Sequence, residues 1–137
     1  FNLKTSHVIP ALIKKFHYAK IKNLDQVEVW GSGIAEREFL HVNDLASAVY
    51  FCFKKKVKKS IINVGGPDNV KIKKLCEIIR KITNYKGKIF FNKKYPDGVL
   101  RRSISKKFLS SLGWKAKTKL ISSDGLRAYY NYYKKIS

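Results

Sequence analysis

The chain has 137 residues, of which 45% are apolar, with a formal charge of +21 and a pI near 10.1. That length fits one domain or a piece of a larger one, and the apolar share excludes a disordered, purely solvated chain. No apolar run approaches the ~20 residues of a membrane span. Only five of the 30 basic residues are arginine, and the lysines fall on every predicted element. This spread argues against a nucleic-acid groove reader, which exploits the planar fork of Arg, and towards a lysine-rich surface that attracts anions.

Ile9, Leu12, Ile13 and Phe16 recur at helical spacing and predict a helix from Val8 to about Lys20, with Pro10 in its first turn. Val27 to Trp30 reads as a short strand, Gly31-Ser32-Gly33 as a turn, and Glu38 to Val42 as a second strand. Asn43 is the predicted N-cap of a helix whose apolar stripe is Leu45, Ala48, Val49, Cys52 and Phe53. A solvated lysine run, 54–59, closes it. Ser60 to Val64 then reads as a buried strand, broken by Gly65-Gly66-Pro67-Asp68.

Ile72, Leu75, Cys76, Ile79 and Ile82 mark a third amphipathic helix, followed by a strand from Lys88 to Phe91 and a turn at Tyr95-Pro96-Asp97-Gly98. Phe108, Leu109 and Leu112 suit a short helix closed by Gly113, with Trp114 as core. Ser122 or Ser123 caps a last helix carrying Leu126, Tyr129, Tyr130 and Tyr133 on one face. The alternation of helices and strands predicts an α/β or α+β layer structure.

Several chemical motifs fail on context. Gly31-Ser32-Gly33 leads into a strand, and Gly65-Gly66 lacks a third glycine, so neither makes a dinucleotide fingerprint. Tyr-x-x-x-Lys occurs at Tyr18/Lys22, Tyr50/Lys54 and Tyr130/Lys134, none in a strand-and-Ser setting. Cys52 and Cys76 form no metal pattern or disulfide framework, and a reducing compartment is expected. His17 is assigned to the exposed side of its helix and His41 to a structural role. Trp30, Lys15, Arg37 and Arg102 make a nucleotide-sugar constellation: an indole to stack on a base, guanidinium groups to grip a diphosphate, an ammonium as a point charge. Trp30 at a strand end is equally a core candidate.

Ser6-His7-Val8-Ile9-Pro10-Ala11-Leu12-Ile13, Val29-Trp30-Gly31-Ser32-Gly33 and Arg37-Glu38-Phe39-Leu40-His41-Val42 resemble the C-terminal half of the GDP-L-fucose synthase family, extended short-chain dehydrogenase/reductases. Ile62-Asn63-Val64-Gly65, Tyr85-Lys86-Gly87-Lys88-Ile89, Pro96-Asp97-Gly98 and Leu112-Gly113-Trp114 extend the likeness nearly end to end. The resemblance implies the substrate-binding half of a Rossmann-type α/β enzyme spanning 1–137, with about 44–66 packing back onto a Rossmann domain. That domain, with the catalytic Ser, Tyr and Lys and most of the NADP site, is expected upstream of Phe1.

The implied reaction takes GDP-4-keto-6-deoxy-mannose to GDP-L-fucose. Protons leave and return at two sugar carbons beside the ketone, and hydride then reduces it. His7 takes the place of the family's proton-handling histidine, which also lies against the cofactor; imidazole suits proton transfer near neutral pH. The partner cysteine belongs to the other half. Lys15, Trp30, Arg37, Asp97 and Arg102 are the implied substrate-binding residues, Asp97 towards the base or ribose hydroxyls.

Val99-Leu100 departs from the family's Thr-Pro, Asn43 and Ser105 each replace an aspartate, and Gly66-Pro67 replaces Thr-Gly; none of these is assigned to chemistry. A GDP-sugar is the expected small-molecule partner, with no nucleic acid, membrane or metal. The full-length enzyme is expected to be a cytoplasmic homodimer, and the fragment alone inactive. The alternatives are another nucleotide-sugar epimerase or dehydratase, or a basic nucleic-acid-binding module.

Overall fold

The computed structural model describes residues 6–67, 69–118 and 123–136. Helix α1 (Val8–Ile21) turns its Leu12, Ile13, Phe16 and Ala19 inward, as the spacing requires. Strand β1 (Gln26–Trp30) buries Val27 and Val29 and turns Gln26, Glu28 and Trp30 outward, so the period-2 rule delivers Trp30 to the surface. Strand β2 (Glu36–Glu38) follows, then helix α2 (Val42–Lys54), strand β3 (Asn69–Lys71), helix α3 (Ile72–Thr83) and strand β4 (Lys88–Asn92). A two-residue strand β5 (Arg101–Arg102), the short helix α4 (Lys107–Ser111) and helix α5 (Ser123–Ile136) complete the order.

Two sheets organise the chain. β1 pairs in parallel with β4, Trp30 opposite Asn92. The second sheet has the order β3-β2-β5, with β2 antiparallel to β3 and parallel to β5. The main core joins α1, β1, α3 and α5 through Phe16, Val29, Leu75, Ile79, Leu126 and Tyr130. A smaller cluster centres on Ala48, Leu109 and Trp114. This is an α/β arrangement, as expected.

Four expectations are corrected. The second strand occupies 36–38 and not 38–42, because β2 must lie opposite Asn69–Lys71 and Arg101–Arg102. The N-cap of α2 is His41, whose Nδ1 accepts from the Asn43 N–H at 3.2 Å, so Asn43 already lies inside the helix. Residues 60–64 form no strand: no neighbouring strand is present among the described residues to pair with them, and Ile61 is exposed. His17 is not a free surface residue; its Nδ1 lies 2.9 Å from the Tyr130 hydroxyl, and its ring packs edge-on against Tyr130 and Tyr133. Burial lowers its pKa, and Lys20 and Lys134 lower it further. Ser122 lies outside the described residues; α5 begins at Ser123, and Tyr129 is the exposed member of its aromatic set.

Asp44 shows how the C-terminal segment is tied back. Its carboxylate accepts from the N–H groups of Lys117 (3.2 Å) and Thr118 (2.8 Å). Burial raises its pKa, but those N–H donors outweigh burial and leave it below the ordinary carboxylate value. Asp97 is shifted the same way by the Ser32 hydroxyl and N–H. A carboxyl whose folded pKa is depressed contributes stability above its unfolded pKa and loses it as pH falls through the folded value. Urea midpoints are therefore expected to fall as pH drops below about 4, and Asp44→Ala should flatten part of that slope. An Asp44→Ala slope identical to wild type would contradict this account of the contact.

Candidate functional site

A cleft of about 740 Å³ opens between the N-terminal half of α1, the end of β1, the start of β2 and the loop after β4. Its walls include Lys15, Trp30, Arg37 and Asp97, four of the residues singled out from sequence. Ser6 and Val8 also line it; His7 between them is exposed and is not among the residues of its wall. His7 occupies the N-cap position of α1, yet its imidazole makes no capping hydrogen bond; only its backbone carbonyl serves the helix, accepting from the Ala11 N–H. The imidazole is thus not committed to holding the helix end.

Tight backbone geometry shapes the floor. Gly31 and Gly33 have φ of +86° and +78°, a region that L side chains rarely adopt. A Cβ on Gly31 would lie 2.5 Å from Asp97 Oδ1, and one on Gly33 equally close to the Phe91 ring. Ser32 between them donates from its N–H to Asp97 Oδ1 (2.8 Å) and from its hydroxyl to Oδ2 (2.7 Å). Both carboxylate oxygens of Asp97 thus engage the turn, a structural task that the sequence did not disclose. The Gly33 and Ala35 carbonyls accept from Lys73 and Ile72 N–H groups, securing the start of α3.

Two cations, Lys15 and Arg37, line this cleft, and a third, Arg102, lies in the groove beside it. Lys15 Nζ donates to the Glu28 carbonyl at 3.0 Å and lies 5.0 Å from the centre of the Trp30 ring. Arg37 Nη1 donates to the Glu36 and Val99 carbonyls, both at 2.7 Å. The guanidinium has further N–H groups to offer an anion. Arg102 stands opposite Arg37 in the β2–β5 register, so both side chains project from the same face. The neighbouring pair, Glu36 and Arg101, forms an ion pair at 3.7 Å. Arg102 itself lines an adjoining groove that shares Arg37, not the main cleft.

Trp30 is 56% exposed, which removes the core reading of it. Tyr95, 41% exposed, stacks on it with ring centres 4.4 Å apart and planes 15° from parallel. Sequence reasoning took Tyr95 only as a turn residue; an aromatic side chain in a loop that returns beside β1 was the available signal. Cys76 is fully buried, and burial pushes its thiol up to about 12, so at neutral pH it is neither thiolate nor base. Among the described residues no group of His, Cys, Asp or Glu is placed to hold a metal ion. No helix among them is long and apolar enough to cross a membrane.

The Gly31-Ser32-Gly33 turn does not fit a dinucleotide. Asp97 and Phe91 fill the space above Gly31 and Gly33, and no third glycine opens a helix there. That turn therefore offers no cradle for a cofactor pyrophosphate.

Residues 1–65 match the model of the NAD dependent epimerase/dehydratase family. Over nearly its whole length the chain is similar to proteins named GDP-L-fucose synthase. A putative GDP-L-fucose synthase 2 of Arabidopsis thaliana is 43% identical over 97% of this chain and 40% of its own length. The GDP-L-fucose synthase of Escherichia coli strain K12 is 37% identical over 97% of this chain and 44% of its own. A GDP-mannoheptose C4 reductase from Campylobacter jejuni, solved with NADP bound, superposes with a TM-score of 0.78 at 27% identity, covering 97% of this chain and 48% of that one. The chain thus spans about 40% of the length of the first curated relatives it matches.

Proposed function

We propose that this chain is the substrate-binding part of an NADP-dependent epimerase-reductase that converts GDP-4-keto-6-deoxy-mannose to GDP-L-fucose. The observation that carries the reading is the convergence of Lys15, Trp30, Arg37 and Asp97 on one cleft of about 740 Å³, a size suited to a small-molecule ligand. In this reading Arg37, Arg102 and Lys15 neutralise the diphosphate, the base lies at the aromatic surface that Trp30 belongs to, and His7, next to the cleft residues Ser6 and Val8, moves the sugar protons. NADP binds mainly to residues outside this chain, as does the second copy of a homodimer.

The exposed flank of α2 supports a further body of protein against 44–66. Val42, Leu45, Val49 and Phe53 lie on it, Phe53 80% exposed; apolar patches of this kind mark buried interfaces in the complete molecule. Residues 60–64, apolar but unpaired, fit the same reading as a strand awaiting its sheet. The isolated chain is expected to self-associate in sedimentation velocity and to lack NADPH-dependent activity. A monodisperse isolated chain that turns over NADPH would contradict this.

The function is tested by supplying the full-length protein with GDP-4-keto-6-deoxy-mannose and NADPH. GDP-L-fucose and stoichiometric NADPH oxidation are expected; absence of both would overturn the proposal.

A further inference from the structure

The loop after β4 is built to bring one ring over another. β1 and β4 run in parallel with Trp30 opposite Asn92, and the Gly31 N–H donates to the Asn92 carbonyl at 3.0 Å. The Tyr95 N–H turns back to that same carbonyl at 3.3 Å, while the Asn92 side-chain oxygen accepts from the Lys94 N–H at 3.0 Å. This turn lays Tyr95 flat on Trp30, beside the cleft that Pro96 and Asp97 help to line.

We propose that Tyr95 is a base-recognition residue: the Trp30–Tyr95 pair is a two-ring platform on which the purine of the nucleotide continues the stack. This rests on the reading of the cleft as a GDP-sugar site and names its base-selecting element. Three features carry it. The pair is stacked face to face yet both rings stay substantially exposed, Trp30 at 56% and Tyr95 at 41%, so it is not core packing. Lys15 lies over the indole, which makes the outer face of Tyr95 the broad aromatic surface left for a base. Arg37, which donates to the Val99 carbonyl four residues further along the same loop, sets the diphosphate end. A fused purine brings more stacking area to the outer face of Tyr95 than a pyrimidine does, so the platform favours guanine over uracil.

The test is calorimetric titration of the full-length protein, wild type, Tyr95→Ala and Tyr95→Phe, with GDP, UDP and inorganic pyrophosphate, alongside thermal melting. Tyr95→Ala is expected to weaken GDP about tenfold, to narrow the preference over UDP, and to leave pyrophosphate affinity and melting temperature unchanged. Tyr95→Phe, which keeps the ring, should bind GDP like wild type. Unchanged or tighter GDP binding by Tyr95→Ala overturns the inference and leaves the cleft assignment standing. Equal losses for GDP and pyrophosphate overturn it in favour of a structural role for the loop. A wild-type protein that binds no GDP overturns the cleft assignment itself, and the inference with it.

Discussion

Replacing His7 by alanine in the full-length protein is expected to slow sugar epimerisation by about 100-fold or more, the scale of a lost general acid-base group. GDP affinity should be unchanged, because no diphosphate or base contact is assigned to His7. Stability should also hold. The imidazole makes no capping bond at the start of α1, and the carbonyl that serves the helix survives the substitution. Exchange of the substrate's ring protons with deuterated solvent isolates this step from hydride transfer. An exchange rate equal to wild type would remove His7 from the chemistry and leave it as an exposed helix-start residue.

Arg37→Ala carries the second large effect, on binding. The guanidinium has two tasks: it fastens the loop through the Val99 carbonyl, and it presents further N–H groups beside Arg102. Charge-assisted hydrogen bonds to phosphate are each worth about 1.5–3 kcal/mol. Loss of such a contact together with a loosened loop should raise the Kd for GDP about 100-fold. Arg37→Lys is expected to recover only part of this, since an ammonium cannot span two carbonyls and a phosphate from one plane. Full recovery by lysine, read in the same titration, would reduce Arg37 to a point charge.

Much of the frame was legible because periodicity reports burial. Ile13 and Phe16 in α1, Leu75 and Ile79 in α3, and Val27 and Val29 in β1 all fall where their spacing puts them. Elements set by long-range pairing were not legible. β3 and β5 are two or three residues long, largely polar, and become strands only because β2 lies between them. That same pairing starts β2 two residues earlier, and ends it four residues earlier, than the apolar segment suggested. Of the residues singled out from sequence, Lys15, Trp30, Arg37 and Asp97 share one cleft, whereas His7 and Arg102 are not in its wall. The connections within the cleft were not legible. Nothing in the local sequence around Asp97 says that Ser32, 65 residues earlier, will occupy both its oxygens, or that Tyr95 will cover Trp30. Those contacts follow from the parallel β1–β4 pairing, which no local window contains.

The central claim is that the cleft binds a guanosine diphosphate sugar, and competitive equilibrium titration of the full-length protein with GDP, UDP and dTDP tests it most directly. GDP is expected to bind tightest, with an affinity that the Arg37→Ala protein loses. Equal affinity for the three nucleotides, or binding that displaces only with salt and follows nucleic acid instead, would contradict it.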